Sequence, residues 1–207
     1  MKKFDKYRPL TKQQLKEVVE CYATEFPDWE IVDGNRFVRS LGPVAQEIGF
    51  QGMSYQAYRP MAYILPLPYP SIAMLHHFLD IKHDVIDMRA HPRKWRSAIA
   101  AMEEQFVPPI RQPLNLREVM RLCEQTAREK TNDLCMLAIL NAYLGEKLQA
   151  KSYCERVQVA PSHMTPRPEW ELEHQEFARQ LLNAIESGNE LKFLDDVTAS
   201  GGFEIEQ

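Results

Sequence analysis

The chain has 207 residues, of which 44% are hydrophobic and 26% charged, and a formal charge of −4. That apolar content is too high for a disordered chain and too low for a membrane-embedded one. Eight glycines and fourteen prolines without a period exclude a collagen-like chain, and a net acidic balance argues against general nucleic-acid binding.

The N-terminus, MKKFDKYRPLTK, starts with charge but leads into no apolar run, so no secretion signal is expected. The first predicted element is a helix from Thr11 to Phe26. Thr11 and Gln14 make a capping box, and Leu15, Val18, Val19, Tyr22 and Phe26 share one face. Pro27 ends it. Trp29 to Val32 and Arg36 to Leu41 flank Asp33-Gly34-Asn35 and predict a hairpin. Further strands are predicted at Val44 to Gln51, with Val44, Gln46, Ile48 and Phe50 on one face, and at Met61 to Leu65. The run Pro66 to Pro70 predicts an extended connector or lid. Ile72 to Leu79 fits helix or strand, and Asp84 to Arg89 alternates; both are taken as strands.

From Pro92 the period becomes helical. Trp95, Ile99, Met102 and Phe106 form the inner face of a helix stopped by Pro108-Pro109, and Leu116, Val119, Met120 and Cys123 mark the next. Leu134 to Leu144 is apolar nearly all round, capped by Thr131 or Asn132 and closed by Gly145, which predicts a central core helix. It is much shorter than the roughly 20 residues of a membrane span. Leu148, Tyr153, Cys154 and Val157 belong to another helix. After a break at Pro161 to Pro168 comes a helix from Glu169 to Ser187 with Trp170, Phe177, Leu181 and Ile185 inward; a short helix at Leu191 to Val197 follows. Strands followed by helices predict an α+β fold, an N-terminal helix plus antiparallel sheet and then a helical region. A boundary near Pro108 would separate 1–108 from 109–207, as two domains or two layers of one.

Cys21, Cys123, Cys135 and Cys154 are widely spaced and lie in predicted helices, which predicts reduced thiols in a cytoplasmic protein. No phosphate-binding glycine loop, G-x-S-x-G or H-E-x-x-H is present in the sequence. Two groups of residues could carry chemistry. His76, Asp80, His83 and Asp87 would share one face of a helix and are ligand types suited to zinc, manganese or iron; with them the chain would be a metal-dependent hydrolase. Tyr55, Tyr58, Arg59 and Tyr69 combine side chains common at binding hot spots with a proline-rich strand end.

Charge is polarised along the chain. Residues 169–207 hold ten acidic and two basic side chains, a net of −8, which leaves +4 on residues 1–168. Glu169, Glu173 and Glu176 are candidates for attracting a partner with a basic surface.

The stretch Arg36-Phe37-Val38-Arg39, followed by Val44-Ala45-Gln46-Glu47-Ile48-Gly49-Phe50-Gln51, resembles a sheet domain of small bacterial cytosolic proteins. The resemblance spans about residues 11–65. Some of those proteins are toxin-immunity proteins, so it implies a non-catalytic bacterial protein that binds another protein. It implies no active site and no cofactor. With the acidic C-terminal third, it makes a protein-binding role the leading expectation, with no nucleic acid or membrane as partner. The metal-dependent hydrolase and a structural helical scaffold, or homo-oligomer, are the alternatives.

Overall fold

The computed structural model describes residues 10–53, 56–69, 85–162 and 165–201, and the backbone of 75–78. The fold is α+β: an N-terminal helix, an antiparallel sheet, then helices. The chain divides into two compact units. One comprises Met1–Arg39, Gln46–Tyr63 and Leu75–Pro113; the other comprises Ser40–Ala45, Ile64–Met74 and Leu114–Gln207. The division is thus not contiguous in sequence, because Ser40–Ala45 and Ile64–Met74 belong with the helices of the second unit.

Helix α1 (Lys12–Ala23) begins at the expected box: the Thr11 hydroxyl accepts from the Gln14 N–H, and the Gln14 side chain accepts from the Thr11 N–H at 3.0 Å. Strands β1 (Glu30–Val32) and β2 (Arg36–Leu41) form the predicted hairpin, with Ile31 opposite Phe37. Asp33 and Gly34 both have positive φ (52° and 67°), the backbone that matches strand twist in a tight hairpin turn. Strands β3 (Val44–Met53) and β4 (Ala57–Pro66) follow, and β4 starts four residues earlier than the Met61 of the sequence reading. The sheet order is β1-β2-β3-β4-β5, with β5 at Leu75–Phe78, while β6 (Ile86–Asp87) also pairs with β4. The strand expected over Asp84 to Arg89 is therefore only two residues long. Asp87 ends it, because its carboxylate accepts the Arg89 N–H at 2.7 Å and turns the chain.

Helix α2 (His91–Gln105) packs with α1 against one face of this sheet. Val18, Val19 and Tyr22 from α1 and Trp95, Ile99 and Met102 from α2 meet Phe37, Ile48, Phe50 and Tyr58 from the strands. β3 is buried on both faces from Val44 to Phe50, where alternation had predicted one. Its polar side chains are accordingly partnered. Glu47 takes the Arg36 guanidinium at 3.1 Å. Gln46 accepts from Arg39 at 2.6 and 2.8 Å and donates to the Pro108 carbonyl at 3.0 Å.

The second unit is built on α3 (Leu116–Thr126), α4 (Thr131–Tyr143), α5 (Lys147–Val159), α6 (Glu169–Glu186) and α7 (Glu190–Ala199). Asn115 caps α3 by accepting the Arg117 and Glu118 N–H groups. α4 is its centre, with Leu134 to Ala142 buried without a break, as its all-round apolarity predicts. Ala138, Ala142, Ala150, Cys154 and Ala178 keep the helices close. The same closeness explains Gly42: a Cβ there would lie 2.7 Å from the Tyr143 ring. Among the described residues no helix is long and apolar enough to cross a membrane.

Candidate functional site

The helical unit contains a polar cluster at the start of α6. Pro168 precedes the helix, and Glu169 and Glu171 occupy its first turn, where carboxylates offset the positive end of the helix dipole. Trp170 and Leu172 are each 48% exposed. The Trp170 ring meets His174, one turn on, with centroids 5.3 Å apart and an edge-to-face tilt. Tyr69 meets the same imidazole edge-to-face at 5.3 Å and stacks on Phe177 at 5.2 Å. Its hydroxyl donates to Glu173 at 3.4 Å.

His174 is buried and its Nδ1 lies 2.7 Å from the Thr131 hydroxyl. The Cys135 thiol donates to its backbone carbonyl. Burial pushes the imidazole down to about 4, partly opposed by the nearby Glu171 charge. At neutral pH the ring is therefore uncharged. Arg167 closes the cluster, pairing with the buried Glu171 at 3.4 Å and donating to the Ala160 carbonyl at 2.9 Å. Thr131 was expected as a possible N-cap of α4. It is instead the first helical residue, and its hydroxyl goes to His174.

Five of the acidic side chains of the last 39 residues are ion-paired within this unit. Glu171 pairs with Arg167, Glu176 with Arg179, Glu186 with Lys151, Glu190 with Lys147 and Asp196 with Lys192. The hydrogen bonds from Arg179 and Gln180 hold the Glu176 carboxyl down at about 2. Among the described residues of this stretch Glu169, Glu173 and Asp195 have no ion pair, so unpaired charge falls at the start of α6 and on α7.

The predicted binding residues separate accordingly. Tyr69 and Glu173 come together, but Tyr69 is a core residue with only its hydroxyl reaching the glutamate. Glu169 is exposed; Glu173 and Glu176 are half-buried. Tyr58 belongs to the first unit's core, where its hydroxyl lies 2.8 Å from His91 Nδ1, and is no surface anchor. Along β4 the even-numbered residues are buried, and Tyr58 and Ala62 join the core formed with α1 and α2. Arg59 is half-buried, and Tyr55 lies outside the described residues. Trp170, expected inward, is instead half-exposed.

Of the metal-ligand set, Asp80, His83 and the His76 side chain lie outside the described residues, and Asp87 is exposed with one oxygen on the Arg89 N–H. Among the described residues no group of three His, Cys, Asp or Glu side chains is placed to hold a metal. The residues that sequence reasoning missed are Thr131, Cys135 and Arg167; their roles come from partners 4 to 43 positions away. No family model, curated protein or solved structure matches the chain.

Proposed function

We propose that this chain is a non-catalytic protein-binding protein that presents the start of α6 to a partner with a basic, partly apolar surface. The observation that carries this role is Trp170: a half-exposed indole held edge-on by a buried, neutral His174, beside the unpaired Glu169. A pre-positioned tryptophan loses little freedom on binding and is the commonest kind of interface hot spot. The adjacent carboxylates supply attraction at a distance and selectivity for positive charge. The free, buried thiols of Cys123, Cys135 and Cys154 suit the reducing bacterial cytoplasm. Toxin neutralisation, implied by the resemblance at Arg36 to Gln51, is the specific form of this role. The partner would then be a toxin encoded beside this gene.

The test begins with a photo-crosslinker placed at Leu172 in cells, identification of the captured protein, and its purification. Titration of that protein should show Trp170→Ala weakening binding by about 30-fold or more, the mark of a hot spot. Glu169→Lys should cost less and reduce the salt dependence. A purified partner that binds Trp170→Ala as tightly as the parent chain overturns the proposal.

A further inference from the structure

We propose that α5 forms the interface of an isologous homodimer, the helices of two copies pairing antiparallel about the midpoint between Tyr153 and Cys154. This surface is distinct from Trp170 and does not rest on the role proposed above.

Leu148 and Val159 are 85% and 79% exposed, the most exposed large apolar side chains among the described residues. Both lie on α5, three turns apart. At about 100° per residue, Leu148, Ser152, Glu155 and Val159 fall within roughly 60° of each other around the helix. The opposite side carries Ala150, Cys154 and Val157, which are buried in the unit's own core. The outward row therefore reads apolar, hydroxyl, carboxylate, apolar, and its spacing of four, three and four residues is symmetric about its midpoint.

Symmetry of that kind is what a two-fold contact between identical helices requires, since each residue must meet the mate of its own mate. In the antiparallel register Leu148 meets Val159 of the second copy, and Ser152 meets Glu155 of the second copy. Each contact occurs twice. The Ser152 hydroxyl can donate to the Glu155 carboxylate, which has no salt-bridge partner among the described residues. A parallel register would set the two Glu155 side chains against each other and align the two helix dipoles, both unfavourable. The reciprocal bonds between Gln158 and Gln175 tie the Val159 end of α5 to α6. The ion pairs of Lys151 with Glu186 and Arg156 with Glu129 flank the row and form the rim.

A 13-residue helix is about 20 Å long, so the contact lies below the roughly 1,200 Å² of total burial common in stable complexes. The dimer should therefore dissociate on dilution. Sedimentation velocity of the full chain between about 1 µM and about 1 mM should show the 24.1 kDa species giving way to twice that mass. Leu148→Glu or Val159→Lys alone should weaken association at least about tenfold. Both positions are solvent-facing, and unchanged circular dichroism would show that each variant folds. Mixing the two variants should restore a dimer. In the mixed pair one end joins Glu to Lys and the other keeps Leu148 on Val159, an outcome that only the antiparallel register gives. Trp170→Ala should leave the dimer mass unchanged, and Leu148→Glu should leave partner binding unchanged, so the two proposals fail separately. A chain that stays at 24.1 kDa throughout, a dimer indifferent to Leu148→Glu, or a mixture that stays monomeric overturns the proposal.

Discussion

The two units solve the same packing problem with different side chains. The sheet unit fills its core with rings: Tyr22, Phe26, Phe37, Phe50, Tyr58, Trp95 and Phe106. Tyr22 meets Phe50 edge-to-face at 4.7 Å, and Phe50 meets Tyr58 at 5.7 Å in the same manner. The helical unit relies on Ala138, Ala142, Ala150, Cys154 and Ala178 among branched aliphatic side chains, with Tyr69 and Phe177 as its fully buried rings. Helices laid on a sheet leave a gap that aromatic rings fill, whereas helices packed on helices approach more closely when their contact residues are small. One core is thus vulnerable to loss of volume and the other to its addition.

The largest expected effect comes from emptying the ring-filled core. Phe37→Ala should destabilise the protein by about 3–5 kcal/mol in urea unfolding, because the surrounding rings cannot collapse into the space. A cost under about 1 kcal/mol would mean that this core tolerates voids.

A comparable effect should follow from acid, and it tests a feature the two cores share. Among the described residues, each has a buried histidine bonded to a hydroxyl, His91 to Tyr58 and His174 to Thr131, and burial lowers both. For His174 the folded value is about 4, against roughly 6.5 in the unfolded chain. The unfolded state therefore binds the proton first as pH falls. The contribution is fully present above about pH 6.5 and is lost progressively down to about pH 4, by up to roughly 3 kcal/mol. Unfolding curves of the parent chain and His174→Gln should converge across that window. Parallel curves would show that the imidazole does not titrate differently on folding.

Overfilling the close-packed helices should cost less. Ala138→Leu should destabilise by about 1–3 kcal/mol, as the neighbouring helices must move apart. The same substitution would be harmless only if the α4 packing were loose, and the thermal midpoint measures that directly. The smallest effect belongs to a local device: Thr11→Ala should cost about 1 kcal/mol, since it leaves the α1 N–H groups to water alone.

The candidate site was legible only in part. Glu169 stood out as an exposed charge, but Trp170 was assigned to the core because it lies 7, 11 and 15 positions before Phe177, Leu181 and Ile185. Helical period fixes the angle at which a side chain projects, not how far the neighbouring helices extend beside it. Near the N-terminus of α6 that same stripe is left half-exposed. Leu148 illustrates the converse: it was grouped with the α5 residues, yet it projects away from Cys154 and Val157 into solvent.

Local physics settled the elements themselves. A capping box starts α1, Asp33-Gly34 turns the hairpin, and an unbroken apolar run makes α4 the centre of its unit; each depends on neighbours within a few positions. Tertiary structure alone decided which polar groups are buried with partners and which charges remain. Gln46 reaches the Pro108 carbonyl, Thr131 reaches His174, and Lys147 and Lys151 neutralise Glu190 and Glu186. Those partners are 35 to 62 positions apart, so only the packing of whole elements brings them within bonding distance and decides which carboxylates of the acidic stretch are paired.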